Sequence, residues 1–411
     1  MANLPFRDVK HIGKWALSIS MIAILVGSTS AFFLYTLQKV TSFREAHLWI
    51  LLFLPLAGVA IVYWYQRYGD AAKQGNNLLL KSYYDPQVDI PWKMAPMILL
   101  STLGTHLFGG SAGREGTAIQ YGGTIASLFR RWFSWSKQEI RILILCGMAA
   151  GFASLFGTPW AGTVFAIEVV RVGKIRWKAI LPVLITAFLA NEVCGLYGNL
   201  HTHYIAIQTI PNFSFALLGY LLLAGIAFGL AARLFIFTGE GFGSLFQKIP
   251  YPLLRPFIGG VLVLMIVFCL HSSKHIGLGI PTILASFETG LPPTDFLIKI
   301  LLTAITLSAG FKGGEVTPLF FIGATLGNAL ALLLPLPLAL LAATGFVAVF
   351  AGCTKTPIAC SIMAIELFGW HASLIFIVVC TISFLVSGKQ GIYSMQKSRK
   401  PKRMFQKIFR S

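Results

Sequence analysis

The chain has 411 residues, of which 56% are hydrophobic and only 11% charged, with a mean hydropathy of +0.75. Soluble domains carry about 25% charged residues, so this composition excludes a soluble globular protein and marks an integral membrane protein. The formal net charge of +19 does not signal a nucleic-acid partner, because the basic residues flank apolar segments instead of gathering in a polar domain.

Residues 3–14 mix basic side chains with Phe and Ile, as residues 397–410 do with Phe, Ile and Met. Each end suits either a helix lying along an anionic leaflet or a charged tail. The apolar segment 15–37 is too long for a signal-peptide core and lacks a small-residue cleavage site, so it is predicted to be the first spanning helix. Further apolar segments follow at 47–65, 94–108, 139–170, 178–198, 214–237, 254–271, 296–310, 317–334, 337–351 and 357–387. Several fall short of the about 20 residues of a straight crossing. Others are interrupted, at Gly157-Thr158-Pro159 and Lys355-Thr356-Pro357. Partial helices leave backbone groups unpaired, so they must be buried in protein or line a watery cavity. The predicted fold is an all-α membrane protein with many tilted, broken and partial helices.

Polar breaks in this apolar sequence carry the chemistry. Gly75-Asn76-Asn77 opens a short apolar turn and offers amide donors, or simply a helix cap. The run from Gly109 to Thr117, which includes Gly113-Arg114-Glu115-Gly116-Thr117, is an irregular loop feeding a helix start. Free N–H groups and the positive helix end make such a place an anion site. Glu115 is then a tethered carboxylate that occupies the site in place of an anion and leaves it when protonated. The second-half run from Gly310 to Phe321 supplies another Gly-rich helix start, with N–H groups near Val316 and Thr317. Glu315 there either pairs with Lys312 or faces a vestibule. Tyr393 is either a neutral donor to an anion or an interfacial tyrosine.

Orientation follows from the basic loops. Arg7, Lys10 and Lys14, then Arg130, Arg131, Lys137 and Arg141, then Arg171, Lys174, Arg176 and Lys178, mark the cytoplasmic side, as do the eight Lys and Arg from Lys389 onward. The connector from Asn199 to Phe213 carries no charged side chain and is placed outside. The six cysteines lie in apolar runs without metal-ligand spacing, and His201-Thr202-His203 has no Cys or carboxylate close by. No metal or other cofactor is expected. No Ser–Lys, paired-Asp or metal arrangement inside the spans suggests an enzyme.

The two halves repeat each other. Gly113 to Thr117 is answered by Gly313-Gly314-Glu315-Val316-Thr317, 200 positions later, and Thr158-Pro159 … Ala166-Ile167-Glu168 by Thr356-Pro357 … Ala364-Ile365-Glu366, 198 later. A first half that starts inside and ends outside, followed by one that runs the other way, is an inverted repeat around a central site. The division reads 1–14 as a cytoplasmic amphipathic segment, 15–200 and 213–388 as the two membrane repeats, 201–212 as the outer connector and 389–411 as a basic cytoplasmic tail.

Gly75-Asn76-Asn77, Gly113-Arg114-Glu115-Gly116-Thr117, Gly313-Gly314-Glu315-Val316-Thr317-Pro318 and Tyr393, in that order, resemble the CLC family of chloride channels and proton-coupled anion antiporters over almost the whole chain. The resemblance implies a CLC-type fold and a homodimer with one pathway per subunit, in a bacterial inner membrane with both termini cytoplasmic. It also implies Glu115 as external gate and proton carrier, and Tyr393 as central anion ligand. Departures from the chloride-type pattern point to one branch. Thr117 stands where proline is usual, Asn76 where serine is usual, and Glu315-Val316 where Ile-Phe is usual. Glu168 is kept, but Val169 replaces the internal proton-transfer glutamate. This combination is similar to the fluoride/proton antiporters, with a chloride antiporter or passive chloride channel as the alternative. Fluoride is small and strongly hydrated, so it demands strong donors; ring edges carry partial positive charge, which brings in Phe320 and Phe321. The candidate anion-binding set is therefore Asn76, Asn77, Gly113, Arg114, Gly116, Thr117, Val316, Thr317, Phe320, Phe321 and Tyr393, serving an inorganic anion and protons.

Overall fold

The computed structural model describes residues 9–396 apart from 173–175, 199, 205–206 and 208. The expectations placed on residues 1–8, on Lys174 and on 397–411 lie outside the described residues. The first half contains α1 (Val9–Ala46), α2 (Leu54–Tyr68), α3 (Asn76–Tyr84), α4 (Met94–Leu107), α5 (Glu115–Leu128), α6 (Lys137–Phe156), α7 (Pro159–Val170) and α8 (Trp177–Gly195). The second contains α9 (Phe215–Gln247), α10 (Leu254–Cys269), α11 (Ile280–Ala285), α12 (Asp295–Ser308), α13 (Val316–Leu330), α14 (Leu338–Thr354), α15 (Pro357–Phe368) and α16 (Ser373–Val386).

By length and composition, five helical stretches among the described residues can cross a membrane, and seven further apolar stretches are only 10–17 residues long. Partial helices are thus as common as the sequence predicts. One boundary differs. Residues 9–14, read as part of a separate amphipathic segment, are the first turns of α1. Lys14 is fixed there by Glu139 at 3.2 Å and lies 3.9 Å from the centre of the Trp135 ring, which joins the start of α1 to the base of α6.

Local chemistry explains where helices start and stop. Ser136 and Glu139 form a reciprocal capping box that starts α6. The 139–170 segment breaks because Gly157 turns left-handed (φ 77°) and Pro159 occupies the first turn of α7. The second half repeats the device with Lys355 (φ 60°) and Pro357. The core is built on close helix pairs that need glycine. A Cβ at Gly122 would lie 2.2 Å from the Gly147 carbonyl oxygen, and one at Gly323 would lie 2.0 Å from that of Gly345. So α5 meets α6, and α13 meets α14, through the same small-residue contact.

Candidate functional site

The two Gly-rich breaks cross at the centre of the molecule. Gly113 and Gly314 exchange both backbone hydrogen bonds, at 2.6 and 2.7 Å, in an antiparallel bridge. Only glycine permits this approach, since a Cβ on Gly314 would stand 2.6 Å from the Gly116 nitrogen. The crossing aims the N-termini of α5 and α13 at one region, where backbone donors and the helix dipoles favour negative charge.

Glu115, the first residue of α5, fills that region. Its side chain is fully buried. One carboxylate oxygen, Oε2, accepts from the Thr317 backbone N–H at 2.9 Å and the Arg114 N–H at 3.1 Å. The other, Oε1, accepts from the Thr317 hydroxyl at 2.5 Å. The Arg114 Nε lies 3.6 Å away, and its Nη2 reaches the Thr202 hydroxyl at 3.5 Å. The first-half carboxyl group is therefore held by the second-half helix start, beside an arginine that reaches the connector.

Beside the crossing lies a cavity of about 180 Å³ lined by Gly75, Asn76, Asn77, Gln120, Lys312, Glu315 and Tyr393, among others. The Tyr393 hydroxyl is buried without a hydrogen-bond partner, as are the Asn76 Oδ1 and Glu315 Oε2 atoms. A buried unpaired donor is costly unless something supplies an acceptor. The Asn76 Nδ2 lies beside the loop, 3.2 Å from where a Cβ on Gly116 would sit. The structure thus gathers Asn76, Asn77, Tyr393 and Glu315 around one space. Of the two readings of Glu315, the cavity-facing one matches the geometry. Lys312 turns its ammonium onto the Tyr65 ring, 4.4 Å from the centroid, and no Lys312–Glu315 ion pair occurs among the described residues.

Other candidates stand elsewhere or are committed. The Thr117 hydroxyl is engaged by that of Thr102 at 2.7 Å. Asn77 Oδ1 accepts from the Met395 N–H at 3.3 Å, which ties α3 to the tail. Val316 is buried at the start of α13. Phe320 stacks on Phe346 with centroids 3.9 Å apart, and Phe321 lies under the Lys299 ammonium at 5.0 Å; neither lines the cavity.

Sequence reasoning missed a second reciprocal contact. Glu168, at the end of α7, accepts from the Ile358 and Ala359 N–H groups at 3.3 and 2.9 Å, and Glu366, at the end of α15, accepts from those of Trp160 and Ala161 at 3.0 and 2.8 Å. Each Thr-Pro helix is capped by the other's glutamate. The duplicated Ala-Ile-Glu was the visible signal. Buried Lys299 was also missed; its ammonium donates to the His275 and Gly277 carbonyls at 2.9 and 2.8 Å, and a lone lysine in an apolar segment carries no pattern that announces this.

Comparison with known proteins identifies the architecture. The family model described as voltage gated chloride channel matches residues 57–388. A Pseudomonas syringae pv. tomato relative named chloride/fluoride channel protein is 44% identical over 394 residues, covering 94% of this chain and 87% of its own. The solved structure of a CLC-type fluoride/proton antiporter superposes with a TM-score of 0.92 at 37% identity, over 95% of this chain and all of that one (100%). A slow cyanobacterial Cl⁻/H⁺ antiporter shares the fold at a TM-score of 0.78 and 21% identity, over 93% and 96% of the two chains.

Proposed function

Because this chain belongs to the CLC (voltage-gated chloride channel) family and is a multi-pass membrane protein of its fold, we propose that it exports fluoride across the bacterial inner membrane in exchange for protons, with Glu115 as gate and proton carrier. The observation that carries this reading is the seat of Glu115 on the Thr317 N–H and hydroxyl. A carboxylate held by a helix start competes with a free anion for the same donors. Hydrogen bonds to an ionised acceptor are roughly twice as strong as neutral ones, so protonating Glu115 weakens its hold and yields the donors to the anion. One side chain thereby makes anion entry and proton binding alternate steps of one cycle.

The inner cavity supports a demanding anion. Tyr393 and Asn76 supply neutral donors that replace hydration without trapping the ion as a fixed cation would. Glu315 lines the same cavity, and in this reading it takes the proton-relay part that Val169 does not fill. Fluoride as substrate is further supported by the Pseudomonas relative and the fluoride/proton antiporter structure. The Pseudomonas relative is named for chloride and for a channel as well, which makes chloride exchange or passive chloride conduction the second reading. Liposomes carrying the purified protein, read with fluoride and chloride electrodes and an internal pH dye, separate the two. Fluoride-driven proton uptake that chloride does not support is expected; chloride movement without protons would overturn the reading.

Selectivity is assigned to Asn76, whose amide offers two donors where serine offers one. Losing a donor to a charged group costs about 1.5–3 kcal/mol, which is about one to two powers of ten in preference. Asn76→Ser should raise chloride flux relative to fluoride by that order, and an unchanged ratio removes the assignment. In this reading both termini and the basic loops are cytoplasmic, so an impermeant thiol reagent should reach Gln390→Cys, an exposed position, only from inside. The exposed apolar side chains Trp160, Ile358 and Leu374 on α7, α15 and α16 support a homodimer, which a monomer mass in mild detergent would contradict.

A further inference from the structure

Two cavities meet at Glu315. The first is the Asn76–Tyr393 space already described. The second, of about 350 Å³, runs between α9, the end of α12 and the segment after α16. Leu307, Glu315 and Ile392 are common walls of both. The wall between α9 and α12 is pinned where the Ser308 hydroxyl donates to the Gly239 carbonyl at 3.0 Å.

The two spaces differ in their charged walls. The first holds Lys312 and a set of amide and phenol donors with Glu315. The second holds two carboxylates, Glu240 and Glu315, with Ser308 and Ser394, and neither Lys nor Arg. Glu240 is exposed on α9 two turns before its end, whereas Glu315 turns an unpartnered, buried Oε2 inward. A space bounded by carboxylates repels anions and gathers protons. A cavity of this size holds several waters, since each needs only about 10–15 Å³ of such volume.

We propose that this second cavity is the proton entrance from the cytoplasm, with Glu240 as its collecting carboxylate. The inference rests on the proton-coupled reading above. A hydronium ion gives its proton to the Glu240 carboxylate, and a water in the cavity carries a proton from there to Glu315. The anion uses the Asn76–Tyr393 side, and Glu315, present in both walls, is where the two routes join.

The test uses the full chain in liposomes. Wild type must first take up protons with fluoride, and failure there sinks the parent reading and this one with it. Glu240→Gln is expected to lose most of the proton uptake, and Glu240→Asp to keep it. Chemical rescue separates a carboxylate role from a structural one. In a Cys269→Ser background, which removes the one exposed cysteine among the described residues, Glu240→Cys should regain uptake with iodoacetate, which restores a carboxylate, and not with iodoacetamide. Passive fluoride flux of the Glu115→Gln variant should be unchanged by adding Glu240→Gln. Wild-type proton uptake by Glu240→Gln, rescue by both reagents alike, or an equal loss of passive fluoride flux would each overturn the assignment.

Discussion

The first and second Gly-rich breaks have nearly the same sequence and opposite behaviour. Glu115 crosses to the other repeat and accepts the Thr317 donors. Glu315, its counterpart, does not cross back; its Oε2 is without a partner and it faces the cavities. One residue of register contributes to this. Glu115 is the first residue of α5, whereas Glu315 is the residue that precedes α13. At the Thr-Pro helices the symmetry is kept, with Glu168 and Glu366 capping one another's helices. Where the repeats agree, the glutamates close a structure; where they disagree, one carboxylate is held by the other repeat's helix start and the other is left without a partner.

Removing the charge at the crossing is the largest test of that contrast. A glutamine at 115 is isosteric, and its carbonyl can still accept the Thr317 and Arg114 N–H groups, so the fold should survive. It cannot carry a proton. Glu115→Gln is expected to reduce fluoride-driven proton uptake in liposomes to the protein-free baseline, leaving at most passive anion movement. Continued proton uptake against a gradient would show that Glu115 is not the carrier.

The symmetric pair should behave differently. Glu168→Ala strips a carboxylate from two helix N–H groups in a buried place, and Glu366→Ala does the same where exposure is greater. Hydrogen bonds to charged groups contribute about 1.5–3 kcal/mol, so each should lower the denaturation midpoint in detergent, Glu168→Ala by more, while the proton-to-fluoride ratio stays at the wild-type value. A changed ratio in either variant would make these glutamates part of transport and erase the contrast.

How much of this could be read beforehand depends on the range of the interaction. The 200- and 198-residue offsets and the Gly-rich helix starts are local patterns, and they exposed the repeat, Glu115 and the Thr317 donors. Partner choice across the chain was not legible. That Thr117 spends its hydroxyl on Thr102 depends on how α4 packs on α5. The sequence groups Phe320 with Phe321, yet neighbours on a helix point about 100° apart, and the structure gives them different partners, the Phe346 ring and the Lys299 ammonium. Glu240 has no motif; its interest arises only from sharing a cavity with a residue 75 positions away.

The smallest expected effect lies at the paired helix ends, where Gly157 and Lys355 adopt the same left-handed turn. For the lysine this conformation costs about 1–2 kcal/mol, because its Cβ crowds the following carbonyl. Its ammonium slightly more than offsets that by donating to the Ser387 hydroxyl at 2.7 Å in a buried setting, since such a bond from a charged group contributes about 1.5–3 kcal/mol. Lys355→Gly should relieve the strain and forfeit the bond, so the two terms nearly cancel and leave a net loss of about 1 kcal/mol or less. Gly157→Ala has only the cost, since a Cβ there meets the His201 ring at 3.2 Å and gains no partner. The denaturation midpoint should therefore fall further for Gly157→Ala than for Lys355→Gly. The reverse order would mean that the Lys355–Ser387 bond, and not the turn, holds the second break in place.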